Sequence, residues 1–232
     1  MTETDPKDAT AAEIREAASE SVRQGTDIRS QVHDITLRAL QSRRFDRNGI
    51  KEVVRAVTEG TALGAERKHT GMRQAMSEAL VGIDQALRTS AEAGGAALKQ
   101  LTSSGRSFSD SELKQALGNL RKLEQDFLDT VGQVAEATSD SVRPELREAL
   151  RNTRKAGTAT GKQVALTMGD FAQKFSAASF EATLTGLETA ADVGQRFSLI
   201  ASGILSGMAA ALRTEPKTEA EPKSDAAAPR EH

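Results

Sequence analysis

Glu66 and His69 stand three residues apart, the spacing at which a helix carries two ligands of a carboxylate-bridged di-iron centre. Such a centre needs a second Glu-x-x-His pair and two further inward glutamates. His33 has Ser30 at the matching position, and Arg67 and Lys68 would repel a cation. The stretch therefore reads as a solvated turn. Gly157-Thr158-Ala159-Thr160-Gly161-Lys162 carries the glycines and lysine of a phosphate loop. It is one residue short between the glycines, and Gln163 replaces the hydroxyl residue that the chemistry needs. No strand pattern precedes it, so a phosphate site is rejected. Arg143, Arg147, Arg151 and Lys155 recur every fourth residue and form a basic stripe. Such a stripe suits lipid headgroups or nucleic-acid phosphates. No aromatic residue interleaves with it to stack bases, and Glu145 and Glu148 dilute it. It reads as a solvated face. No serine or acid is singled out by a base beside it. The sequence thus offers no catalytic, metal or cofactor site, and no small-molecule substrate is expected.

The composition agrees with a non-enzymatic reading. The chain has 232 residues, 38% of them apolar, 28% charged and only 3% aromatic, all of those Phe. Enzyme cores and pockets usually hold more aromatic area. Alanine, leucine, glutamate, lysine and arginine favour helix. A net charge of −2 makes a nucleic-acid partner unlikely on electrostatic grounds. Cysteine is absent, which excludes disulfides and thiol chemistry and fits a reducing compartment. A cytoplasmic protein without a secretory signal is the expectation. The longest uncharged run, Phe197 to Leu212, has 16 residues, short of the ~20 needed to span a bilayer.

The expected fold is all-α: long amphipathic helices in an elongated antiparallel bundle or coiled-coil hairpin. Residues 1–9 and the Glu/Lys/Pro/Ala tail 214–232 are expected to be disordered. Residues 10–139 read as a helical hairpin or bundle region. A first helix runs from about Thr10 to Gln41, bent at Gly25, with Ile14, Ala18, Val22, Ile28, Val32 and Ile35 on its apolar side. A second starts near Ile50; with a possible break at Arg67–Gly71, it continues to about Thr102, weakest at Gly94-Gly95. Ser109 and Glu112 form a capping box for the next helix, and Pro144 suits a first turn.

Residues 140–213 read as a long apolar helical region packing on the rest. On an ideal helix, Asp170, Lys174, Glu181, Glu188, Asp192 and Arg196 share one wedge of roughly 80°. The remaining circumference from Gln163 to Leu212 is apolar or small, so this stretch must be covered. Its covering side chains are expected to be Phe171, Phe175, Phe180, Leu184, Phe197, Ile200, Ile204 and Met208. Gly203, Gly207 and Ala211 lie one turn apart and suit close helix approach. The same spacing at Gly60 and Gly64, and at Gly157 and Gly161, reads as chance in an Ala- and Gly-rich chain.

Phe171 to Glu181, with Leu184, Leu187, Phe197 and Met208 beyond it, resembles the phasins. These bacterial proteins coat polyhydroxyalkanoate granules with Ala-rich amphipathic helices and often end in Ala/Pro/Lys tails, as Thr214 to Arg230 does here. The chain also looks like uncharacterised proteobacterial helical families. The phasin resemblance implies a surfactant-like protein on an apolar polymer or lipid surface. The alternative is a soluble oligomeric helical-bundle scaffold. A homo-oligomer is expected under either.

Overall fold

The computed structural model describes residues 9–43, 46–68, 71–103, 110–174 and 201–206. Its elements are α1 (Ala11–Gln24), α2 (Ile28–Gln41), α3 (Arg47–Lys68), α4 (Met72–Ser103), α5 (Asp110–Ala137), α6 (Arg143–Ala156) and α7 (Ala159–Lys174). Residues 201–206 add a short helical turn. Among the described residues there is no strand, and the all-α expectation holds.

The helices form three antiparallel hairpins: α1 with α2, α3 with α4, and α5 with α6–α7. Within the third, Arg147 pairs with Glu136, and Arg154 lies 3.9 Å from Asp129. One residue number rises as the other falls, as antiparallel helices require. Between hairpins the numbers rise together. Arg47 and Lys51 reach Asp126, and Arg55 reaches Gln133. Arg73 meets Glu145, Asp84 meets Ala159, and Lys99 meets Asp170. The hairpins therefore stand side by side with their turns at one end. Helices α1, α3 and α5 form one layer; α2, α4 and α6–α7 form the other.

Helix α4, which packs on α2, α3, α5, α6 and α7, is the centre of this stack. Met76, Ala79, Leu80, Ile83, Ala86, Leu87, Ala91 and Leu98 of α4 are all 1% exposed or less. Their spacing of three and four residues puts them on the inward side of the helix.

The first expected helix is two helices. Gly25 and Asp27 both take left-handed backbone, with φ of 71° and 47°, and α2 folds back along α1. Gly25 bears that conformation without a Cβ penalty. The apolar period skips from Val22 to Ile28, an interval of six rather than three or four, and the turn lies in that gap. The possible break near Gly71 is also a turn, with φ of 66° at Gly71. Gly94-Gly95, by contrast, stays helical within α4. Thr10 and Glu13 cap α1 reciprocally, the Glu13 amide donating to Thr10 Oγ1 at 3.2 Å and the Thr10 amide to Glu13 Oε2 at 2.7 Å. The capping box expected at Ser109 lies outside the described residues, whereas Pro144 sits in the first turn of α6 as expected. The boundary drawn at residue 139 falls between α5 and α6, in the turn of the third hairpin. Apart from Ala9, the ends expected to be disordered lie outside the described residues.

Glycine sets the spacing between hairpins. A Cβ on Gly60 would fall under 3.0 Å from the Arg15 carbonyl oxygen, and one on Gly64 equally close to that of Ser19. Across the other layer, a Cβ on Gly82 would lie 2.5 Å from the Arg29 carbonyl oxygen. The pair at Gly60 and Gly64 is thus a contact surface and not chance. Gly60→Ala and Gly64→Ala should each destabilise the fold by about 1–3 kcal/mol through overpacking, despite the ~1 kcal/mol that alanine gains in a helix interior. Gly169→Ala, with nothing within 4 Å of the added atom, should be neutral or stabilising. Urea unfolding of the three variants checks the contrast.

Candidate functional site

Of the apolar carboxyl-terminal side chains that the structure describes, Val164, Phe171, Ala201 and Leu205 are buried in the stack. Phe171, near the end of α7, is 2% exposed. Ala201 and Leu205 are fully buried, and Ile204 packs partly buried against the same core. The short turn 201–206 lies at the end of α2. There Gln41 Nε2 donates to the Leu205 carbonyl at 3.5 Å, and Ser202 Oγ donates to the Arg43 carbonyl at 3.4 Å. Phe175, Phe180, Leu184, Phe197, Ile200 and Met208 lie outside the described residues, as do Gly207 and Ala211. Among the described residues nothing comes within 4 Å of a Cβ added at Gly203. The turn buries its Ala201 and Leu205 side and leaves Gly203 outward. Leu166 on α7 is 65% exposed, the most open of the large apolar side chains described.

What fixes α7 is polar. Its amino end carries amides with no partner inside the helix, and these attract an anion. Asp84 of α4 supplies one, its carboxylate accepting from the Ala159 amide at 2.7 Å and the Thr160 amide at 3.0 Å. Thr160 Oγ1 donates to the Asp84 carbonyl at 3.0 Å. Thr158 Oγ1 accepts from the Gly161 amide at 2.8 Å and donates to Glu124 of α5. The glycine-rich stretch rejected as a phosphate loop is therefore a helix start filled by the protein's own carboxylate. Sequence reasoning missed Asp84. Its signal is an acid on the apolar stripe between Leu80, Ile83 and Leu87.

A second buried carboxylate ties α5 to α3. Asp126, 5% exposed, accepts a forked pair of hydrogen bonds from Arg47 and a third contact from Lys51 at 3.1 Å. Burial pushes its carboxyl up, but the hydrogen bonds from Arg47 and Lys51 outweigh that and hold it below the usual range. A cavity of about 20 Å³ beside the pair has room for roughly one water.

The three arginines of the basic stripe pair with acids. Arg143 pairs with Asp140 at 2.6 Å, Arg147 with Glu136, and Arg151 with Glu148 at 2.6 Å. A groove of about 290 Å³ between α3 and α5 holds Leu63, Val134 and Val142 beside the Arg15–Glu59 pair. Among the described residues, no three His, Asp or Glu side chains gather as a metal site requires, and no helix is long and apolar enough to cross a membrane.

Fold and site define an all-α stack of helical hairpins, joined by glycine contacts and buried carboxylates. The chain belongs to the DUF6781 family, a family of unknown function whose model matches residues 4–214. No curated protein and no solved structure matches it.

Asp126→Asn should destabilise the fold by about 1–3 kcal/mol at neutral pH, because Arg47 and Lys51 lose a charged acceptor. A lowered folded-state pKa contributes stability above the unfolded value of about 3.9, and that stability disappears as pH falls through the folded value. Urea midpoints of wild type and variant should therefore differ at pH 7 and converge in acid below the ordinary carboxylate range. A gap that stays constant into acid would contradict this role.

Proposed function

We propose that this chain is a non-enzymatic helical scaffold that presents a fixed, charged surface to protein partners or to further copies of itself. One observation carries the reading: Phe171, Ala201 and Leu205, the most buried anchors of the apolar region, point into the stack. Burying such side chains stabilises by about 1.5–3 kcal/mol for a large one, so packing into the stack explains their sequence without an external surface. Ion pairs across and along the helices give the outer faces a polar, mixed-charge character suited to specific contact.

A second reading keeps the phasin-like role, in which the carboxyl-terminal region coats an apolar polymer or lipid surface. Leu166 favours it, as a large apolar side chain left open on α7 just before the Phe175, Phe180, Leu184 and Phe197 sequence. Sedimentation with polymer granules and with lipid vesicles separates the two. The scaffold reading expects the protein to stay in the supernatant with either particle and to keep one oligomer size. Pelleting that is lost in Leu166→Asp and Phe197→Asp variants would replace it with the coat.

A further inference from the structure

Helix α7 is attached differently from the other helices of the stack. Five side chains from its start to Phe171 are buried: Thr158, Thr160, Val164, Thr167 and Phe171. Three of these five are threonines. In α4, large apolar side chains dominate the buried side, Met76, Leu80, Ile83, Leu87 and Leu98, with Asp84 and Ser90 as its buried polar residues. A helix docked mainly by hydrogen bonds gains less from burial than one docked by apolar area. Each hydrogen bond nets only about 0.5–1.5 kcal/mol, because water replaces it on opening.

The joint at the start of α7 is also built to turn. Helix α6 stops at Ala156 and α7 starts at Ala159. Between them Gly157 takes φ of 75° and ψ of 154°, with nothing within 4 Å of an added Cβ. The backbone there is unobstructed, and glycine tolerates many conformations. The contacts beyond the joint include the Asp84 cap, Thr158 with Glu124 of α5, Thr167 against Gly95, the Lys99–Asp170 pair at 2.7 Å, and the apolar Val164, Met168 and Phe171.

We propose that α7 is a latch, a helix that leaves the stack as one unit about Gly157 while α1 to α6 stay folded, with the Asp84 carboxylate as its catch. Opening removes the anion from the α7 amino end and uncovers the side of α4 that carries Asp84 and Gly95. This local opening belongs to the fold itself and is independent of whether the chain acts as scaffold or coat. Segments with few buried apolar contacts open below the global unfolding free energy.

Native-state hydrogen exchange on the full chain tests it. In wild type, amides from Val164 to Phe171 should exchange through a smaller opening than those from Val53 to Val57, with a weaker dependence on urea. Asp84→Asn, which keeps the shape and removes the charge, should speed α7 exchange by roughly tenfold, about 1.4 kcal/mol. The α3 amides should change by less than about twofold, since their opening is separate. A second variant does not depend on how well that one folds. An added Gly95 Cβ would lie 3.6 Å from the Thr167 Cβ, within the ~3.5–4.5 Å of disulfides, and the chain has no other cysteine. In Gly95→Cys/Thr167→Cys, oxidation should slow α7 exchange to the rate of the α3 core, with the reduced form as control. Equal opening free energies and urea dependences for α7 and α3 in wild type would overturn the latch. So would α7 exchange that ignores the disulfide.

Discussion

Backbone contact between neighbouring hairpins is the constraint on which this architecture rests. Helices packed through ordinary side chains stand 8–10 Å apart. Here α1 meets α3 where Gly60 and Gly64 leave room for the Arg15 and Ser19 carbonyls, and α2 meets α4 at Gly82. Ala18 and Ser19 of α1, both fully buried, match that small surface. Among the described residues the buried Ser19 and Ser21 hydroxyls have no hydrogen-bond partner, and their small volume is what the contact uses. A chain with few aromatics can build a core this way, because closeness replaces side-chain bulk.

Close packing alone does not choose a register, and the buried carboxylates do. Asp126 fixes α5 against α3 through Arg47 and Lys51, while Asp84 fixes the start of α7 against α4. Each spends its desolvation on several donors at once, which is the condition under which a buried charge is tolerated. The two ties differ in consequence. Asp126 joins two helices inside the stack. Asp84 holds a helix with a glycine joint behind it and mostly threonines beneath it, so the same chemistry there gives a separable element.

Helix content was legible from residue types and spacing, because amphipathic periodicity is a local property. The hairpin turn at Gly25 was not read, although the interval from Val22 to Ile28 marked it. An apolar stripe that resumes after one irregular interval reads as a bent helix until the φ of Gly25 and Asp27 is known. The close contact at Gly60 and Gly64 was hidden for another reason: glycine spacing does not reveal which backbone faces it. The apolar character of the region around Phe171 and Leu205 was visible, and so was its need for cover. The partner in the cover depends on contacts far away in the chain, 71 residues from Asp170 to Lys99 of α4 and 164 from Leu205 to Gln41 at the end of α2. Asp84 lay in plain view as a charge on an apolar stripe, but its partner is a helix start 75 residues later.

Zero-length carbodiimide cross-linking in solution, read by mass spectrometry, tests the stacked arrangement most directly. Side-by-side hairpins with their turns at one end require that Lys51 link to Asp126 and Lys99 to Asp170, since both pairs are in contact. Two unbroken antiparallel helices over residues 10–41 and 47–103 would instead bring Lys51 to Asp34. Recovery of the first two links supports the stack, and a Lys51–Asp34 link in their place would contradict it.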